Sequence, residues 1–302
     1  RAGQQRGARR RLPYDHPYSR STMSPSYHAW ARVLMLLIAA MGPTLSAASQ
    51  ISVRSPLSDD RNVLPGTTYE GAILVHNETA RVQEAKVYQT DYRFHSDGTN
   101  EYGEPGTSDR SNAGWIRLAP YRVMLPPGET VPVHYSVAVP AQEVGELQGS
   151  YWSMVMVEAI PAESPESTLS ADSLDRKYGV RQIMRYGIQI ATHLPDESDA
   201  RIDREEAGLS SDPDHGAVLE FTLTNTGSRL LQPEVWVDLY DLDGKPQGRM
   251  NGSTNRIYPD TGVRQRISLG RPPAGKYRAL VFVDAGEQGV FGAEYDLEID
   301  IG

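Results

Sequence analysis

The sequence predicts an all-β protein that consists of two antiparallel β-sandwich domains in tandem. Apolar and polar residues alternate in many short runs, which is the period of a half-buried strand. Turn-forming residues bound these runs, as at Asp97-Gly98 and Pro126-Pro127-Gly128. No long helical pattern follows residue 48, so parallel βαβ units, which need interposed helices, are not expected.

The amino-terminal region has the features of an export signal. Residues 1–22 are Arg-rich and aperiodic, and we expect them to be an upstream extension. In residues 23–48, Arg32 precedes a short apolar run, and small residues follow at Ser46-Ala47-Ala48, which predicts a cleaved signal peptide. An uncleaved anchor is the alternative, but the run is shorter than the roughly 20 residues of a membrane-spanning helix. We therefore expect an exported protein of the periplasm or cell envelope, without stable membrane insertion.

The composition excludes several classes of function. The chain carries 30 Lys and Arg against 39 Asp and Glu, a formal net charge of −9. An acidic surface repels phosphate backbones, so nucleic acid is not an expected partner. The chain has no cysteine, which rules out zinc–thiolate sites and cysteine nucleophiles. Without disulfides, an exported protein depends on an ordinary apolar core.

The first predicted domain covers residues 49–195. Its strand-like runs are YEGAILVHN (69–77), EAKVYQTDYRF (84–94), WIRLAPYRVML (115–125), TVPVHYSVAVP (130–140), GELQGSYWSMVMVEAIP (145–161) and VRQIMRYGIQIATHL (180–194). The run 145–161 is apolar on both faces, with Val155 and Val157 on one and Trp152, Met154 and Met156 on the other. It is either a fully packed core strand or a strand with one face covered by a loop or partner.

A polar stretch at 196–216 predicts a linker with at most a short edge strand, and residues 217–302 then form the second predicted domain. Its runs are VLEFTLTNTG (218–227), PEVWVDLYDLDGKPQG (233–248), VRQRISLG (263–270), GKYRALVFVDAG (275–286) and GAEYDLEIDIG (292–302). Residues 96–114 and 161–178 are polar and rich in turn formers, and predict long unstructured loops whose role is open.

The sequence contains no motif of an enzyme or cofactor site. Nucleophile elbows, phosphate-binding loops, dinucleotide fingerprints and paired metal-binding histidines are all missing. The acid pairs Asp59-Asp60 and Glu205-Glu206 are interpreted as solvated charge. We therefore expect a non-enzymatic protein that uses neither a cofactor nor a metal ion.

The order of motifs in the first domain resembles that of the periplasmic pilus (fimbrial) chaperone family, the PapD-like proteins. The matching segments are RNVLPGTTYEGAILVHN (61–77), YRVMLPPGETVPVHYSV (121–137) and SYWSMVMVEAIP (150–161), followed by a variable loop and an alternating strand that ends near Pro195. The resemblance covers about residues 51–195 and implies two immunoglobulin-like domains.

The resemblance also implies a function and a partner-binding site. In that family the last strand of the first domain enters an incomplete pilin or surface subunit, while an Arg and a Lys hold the terminal carboxylate of the subunit. Arg61 stands at the Arg position, whereas residues 185–195 contain no Lys. The expected binding residues are Arg61 and one face of the last strand, namely Val180, Met184, Tyr186, Ile188 and Ile190.

Two functions remain open at this point. One is chaperone-like capture of a protein subunit by β-strand addition during pilus assembly. The alternative is a stand-alone immunoglobulin-type adhesion or cell-wall-binding module. The first needs the strand 180–194 at an accessible sheet edge, whereas the second would bury it between neighbouring strands.

Overall fold

The structure, a computed structural model, describes residues 50–141, 147–162, 164–169, 183–205 and 207–300. The predicted extension and signal peptide lie outside the described residues, as does Val180. None of the helices in the described ranges has the length and apolar character needed to cross a membrane. The protein is all-β, with two immunoglobulin-like sandwiches in tandem.

In the residues that the structure describes, the first sandwich has ten strands in two sheets. In chain order they are β1 (Ile51–Val53), β2 (Ser58–Asn62), β3 (Thr68–Asn77), β4 (Gln83–Phe94), β5 (Asn100–Gly103), β6 (Ile116–Ala119), β7 (Arg122–Leu125), β8 (Thr130–Ala138), β9 (Gly149–Ile160) and β10 (Arg185–Leu194). One sheet has the order β1-β3-β8-β6, and the other has the order β2-β10-β9-β4-β5, with β7 also paired to β4.

The core of this sandwich lies between the two sheets and is formed by alternate residues of each strand. Ile73 and Val75 of β3 and Val133 of β8 pack with Val155 and Val157 of β9, all with at most 1% of their surface exposed. The period-two pattern therefore marks, as predicted, the face of each strand that enters the core.

The second sandwich contains eight strands. They are β11 (Ile202–Arg204), β12 (Gly208–Asp212), β13 (Gly216–Asn225), β14 (Glu234–Asp241), β15 (Pro246–Asn251), β16 (Gly262–Gly270), β17 (Gly275–Asp284) and β18 (Val290–Ile299). One sheet contains β11, β13, β12 and β16, and the other has the order β15-β14-β17-β18. Both β11 and β12 lie within the stretch 196–216, so part of the expected linker belongs to this sheet through pairing with β13.

A buried asparagine closes the same turn in both sandwiches. The Asn77 amide donates to the carbonyls of Arg81 and Leu125, each at 2.8 Å. In the second sandwich the Asn225 amide donates to the carbonyls of Arg229 and Ile257, at 2.7 and 2.8 Å. Both side chains are fully buried, so each satisfies backbone groups that would otherwise lack partners.

One strand pair in the first sandwich is parallel, unlike the antiparallel arrangement expected throughout. The chain leaves β1 in one sheet, passes Pro56 and enters the other sheet as β2, where it runs parallel to β10. Because β2 and β10 are far apart in sequence, this parallel pair needs no helical crossover. The period of the sequence shows which face is buried, but it does not show strand direction.

The segment 96–114, expected to be unstructured, contains β5 and a short 3₁₀ helix (Ala113–Trp115). The buried carboxylate of Asp91 accepts hydrogen bonds from the backbone amides of Gly106, Thr107 and Ser108, at 3.0, 2.9 and 2.7 Å. A single acidic residue on β4 therefore organises the polar loop. The composition of the loop alone does not show this order.

Candidate partner-binding edge

Strand β10 is paired along only part of its outer edge. It pairs with β9 over all ten residues from Arg185 to Leu194. On its other side β2 pairs only with residues 189–193. In the segment 185–188, no strand of the described part of the chain pairs with the outer side of Arg185 or Gly187. The candidate site is this short segment, hereafter the open edge of β10.

The backbone of the open edge has a defined direction. The Gln189 amide donates to the Leu57 carbonyl at 2.9 Å, and the His193 carbonyl accepts from Val63 at 3.0 Å. Odd-numbered residues of β10 therefore direct their amide and carbonyl groups away from β9. By the same alternation, Arg185 and Gly187 present theirs to the unpaired side. These are the groups with which an added strand would pair.

Two exposed apolar side chains flank the open edge. Leu57, just before β2, is 53% exposed, and Ile183, just before β10, is 50% exposed. Single exposed apolar residues are common on protein surfaces, but this pair lies beside unpaired backbone groups. An added strand would cover both the backbone and the two side chains.

The predicted binding face of β10 is instead largely internal. Ile188 and Ile190 are 2% and 0% exposed and belong to the core of the first sandwich. Tyr186 packs against the same core, and its hydroxyl donates to the Ile51 carbonyl at 3.1 Å. Met184, before the strand, is half-buried. The opposing sheet covers Ile188 and Ile190 in this structure, and their part in partner binding stays a prediction.

Arg61, the predicted carboxylate anchor, lies on β2 opposite Thr192 of β10. Its side chain is half exposed, and its Nε atom lies 2.8 Å from the Asp59 carboxylate. Asp59 also accepts a hydrogen bond from the Tyr135 hydroxyl. Burial, followed by this bond to a carboxylate, raises the pKa of Tyr135. Arg61 thus lies on the strand that follows the open edge, opposite Thr192 rather than opposite the edge itself, and its charge already has a partner within the chain.

Strand β2 is also fastened to the second sandwich. The Arg256 guanidinium donates to both carboxylate oxygens of Asp60, one of them at 2.8 Å, and to the Tyr258 hydroxyl at 2.8 Å. His193 of β10 lies 3.2 Å from the same carboxylate. Burial raises the pKa of Asp60, but the hydrogen bonds from His193 and Arg256 outweigh it and hold that pKa well below its usual range.

These contacts correct the interpretation of Asp59-Asp60 as solvated charge, because each carboxylate bonds protein groups. Sequence reasoning also missed Arg256 and Tyr258. They lie in a loop of the second domain and match no motif. Only the tertiary structure brings them to β2.

The same interface explains why strand β9 is apolar on both faces. Val155 and Val157 enter the core, while Trp152 on the other face packs against Tyr258, with ring centroids 4.3 Å apart. The Trp152 indole donates to the Tyr92 carbonyl at 2.7 Å. One face of β9 is therefore core, and part of the other is covered by the second sandwich.

A cleft of about 570 Å³ lies beside this interface. Residues of β2, β10 and the following segment line it, together with Arg229 and Leu230 of the second sandwich. Among the described residues, no group of three or more His, Asp or Glu side chains is placed to hold a metal ion.

Comparison with known proteins gives matches in structure only. No protein-family description and no curated protein sequence matches the chain. Many of the similar solved structures are PapD-like fimbrial chaperones, the family that the order of sequence motifs resembles.

Three of these similar structures show the extent of the likeness. The class 5 fimbriae chaperone CfaA is 14% identical, covers 83% of this chain and 100% of its own, and has a TM-score of 0.44. The SafA pilin–SafB chaperone complex of Salmonella enterica is 11% identical, covers 83% and 98%, and has a TM-score of 0.40. The Escherichia coli chaperone DraB is 12% identical, covers 82% and 98%, and has a TM-score of 0.37.

Proposed function

We propose that this chain is a non-enzymatic, exported envelope protein that captures a protein subunit by β-strand addition, in the manner of a pilus chaperone. The observation that carries the proposal is the open edge of β10, where Arg185 and Gly187 direct backbone groups to an unpaired side. Exposed Leu57 and Ile183 add apolar surface at the same place. The order of sequence motifs in the first domain supports the same function.

The burial of the β10 side chains changes how capture would work. Because Ile188 and Ile190 already fill the core, the partner would pair with the backbone of the open edge and cover Leu57 and Ile183. Backbone pairing gives affinity with little dependence on the partner's sequence. Arg61, on the neighbouring strand β2, would add a second contact by binding an anionic group of the partner that displaces Asp59.

The stand-alone adhesion or cell-wall-binding module remains the second candidate. It is favoured by the same burial of Ile188 and Ile190, because a module that never donates this strand has no need to expose those side chains. The two candidates differ in whether the open edge of β10 is the contact surface.

Site-specific photocrosslinking distinguishes them. A photoreactive amino acid at Leu57 should crosslink in cells to an envelope subunit, and the crosslinked peptide of that subunit should have the alternating pattern of a strand. The matched control is the same amino acid at Leu242, which is 68% exposed in the second sandwich. Equal crosslinking of the same protein at both positions would contradict edge capture.

A backbone variant then tests the pairing itself. Gly187→Pro removes the amide hydrogen that faces the open edge, whereas Gly187→Ala keeps it. The alanine Cβ would lie 3.0 Å from the Met154 sulfur, a tight contact that the flexible methionine relieves by a small shift. Pairing predicts that the proline variant lowers crosslinking at Leu57 by about tenfold or more, since proline blocks a strand edge. The alanine variant should stay near wild type. Equal crosslinking by both variants would exclude strand addition at this edge.

A further inference from the structure

A buried carboxylate on β4 holds the segment that follows β9. Glu84 has no exposed side-chain surface and lies on the sheet face opposite the core. It accepts hydrogen bonds from the Arg122 guanidinium at 2.6 Å, from the Thr168 amide at 2.9 Å and from the Ser167 hydroxyl at 3.0 Å. The first part of the β9–β10 connection is therefore attached to β4.

A second carboxylate holds the other end of the same connection. Glu158 of β9 accepts hydrogen bonds from Arg185 Nε at 2.8 Å and from the Tyr88 hydroxyl at 3.0 Å. Lys86 lies 3.3 Å from Glu158 and 3.0 Å from Glu166. Lys86 thus links Glu166, in the segment that follows β9, to Glu158, which in turn holds Arg185 at the start of β10.

The charges of this cluster are mutually stabilised. Burial alone would raise the pKa of Glu84, but its hydrogen-bond donors outweigh burial and lower the pKa to about 2. The pKa of Glu158 is also lowered, because bonds from Tyr88, Lys86 and Arg185 outweigh burial. Both groups are therefore ionised at neutral pH, and their bonds to cations are of the strong, charge-assisted kind.

We propose that Glu84, Lys86, Arg122 and Glu158 form a clamp that fixes both ends of the connection before β10 and so preorganises the open edge for its partner. The inference rests on the proposed function, since it explains how the same edge is held ready for its partner. An edge whose flanking segments are already ordered loses less conformational entropy when a strand is added. Arg185 belongs to both features: its side chain enters the clamp and its backbone forms the edge.

The clamp can be tested first without any partner. Lys86→Met removes the shared cation but keeps most of the apolar stem. Its matched control is Lys276→Met, on an exposed lysine of β17. We expect amide hydrogen exchange at 164–169 and at Tyr186, whose backbone faces β9, to become about tenfold faster in Lys86→Met only, with little change in the core of the second sandwich. Unchanged exchange at both places would overturn the clamp.

The second measurement is crosslinking from Leu57. In Lys86→Met we expect the yield to fall severalfold while the melting temperature stays close to that of Lys276→Met. If the wild-type protein crosslinks and Lys86→Met crosslinks equally well, preorganisation is wrong. If the wild-type protein gives no crosslink, the proposed function fails instead, and the exchange measurement still decides whether the clamp exists.

Discussion

Replacing Ile188 with Asp would test directly whether the apolar face of β10 serves the core or a partner. Ile188 is 2% exposed and packs within the first sandwich. Ile183, five residues earlier, is 50% exposed and offers a control for the same chemical change outside the core. The two variants place an identical charge at positions that differ mainly in burial.

The expected magnitude follows from that burial. Removing a fully buried isoleucine from the core lowers the free energy of unfolding by about 2–5 kcal/mol, including the cavity it leaves. An aspartate at the same place must be charged and unpaired or become protonated, which adds several kcal/mol more. Since domains are stable by only about 5–15 kcal/mol, Ile188→Asp should unfold the first sandwich.

Thermal denaturation followed by circular dichroism and by tryptophan fluorescence is the appropriate assay. Trp152 reports on the first sandwich where it meets the second, and Trp236 reports on the second. We expect Ile188→Asp to lose the cooperative transition of the first sandwich at room temperature. Ile183→Asp should melt within a few degrees of wild type, because surface substitutions usually change stability by at most about 0.5 kcal/mol.

The reverse pattern would refute this reasoning. If Ile188→Asp kept the wild-type melting temperature and lost only partner binding, the side chain would be donated rather than buried. Capture through the backbone edge would then be the wrong mechanism. An intact melting temperature combined with intact binding would mean that β10 takes no part in the core.

Three further predictions concern the charged groups on and around β2. Arg256→Met should lower the free energy of unfolding by about 1–3 kcal/mol, because it removes charge-assisted bonds to the partly buried Asp60; an unchanged urea midpoint would show that the pair contributes nothing. Arg61→Ala should leave stability nearly unchanged, as for other half-exposed ion pairs. Asp59→Asn should increase crosslinking from Leu57 if Arg61 binds an anionic group of the partner, and equal yields would exclude that role.

Local patterns in the sequence were sufficient for much of the fold. Alternation predicted that Val155 and Val157 share a buried face, because strand period depends only on neighbouring residues. Arg61 and Asp59 stand two apart on one strand, so their ion pair could have been predicted from the same period. The sequence could not indicate that Asp60 meets Arg256, since that contact depends on how the sandwiches pack.

Backbone geometry at the interface was also hidden from the sequence. Gly149, at the start of β9, has a positive φ of 78°, and an added Cβ would lie 2.1 Å from the Ser228 carbonyl oxygen. Glycine is therefore required both by conformation and by space. In the sequence this residue resembles any turn glycine, and its contact with the second sandwich is visible only in the fold.

The alternation of residues in β10 predicts that one face of the strand is buried. It does not show whether the chain's own core or a partner buries that face. An apolar face that enters a partner's groove and one that enters its own core need the same alternation of residues. The deciding information lies in the opposing sheet, where Ile73 and Val133 already belong to the core that contains Ile188 and Ile190. A chain with this packing can still recognise a strand, but through the backbone of Arg185 and Gly187, whose edge depends on strand pairing rather than on side-chain pattern. Recognition by that edge would therefore leave few marks in the sequence.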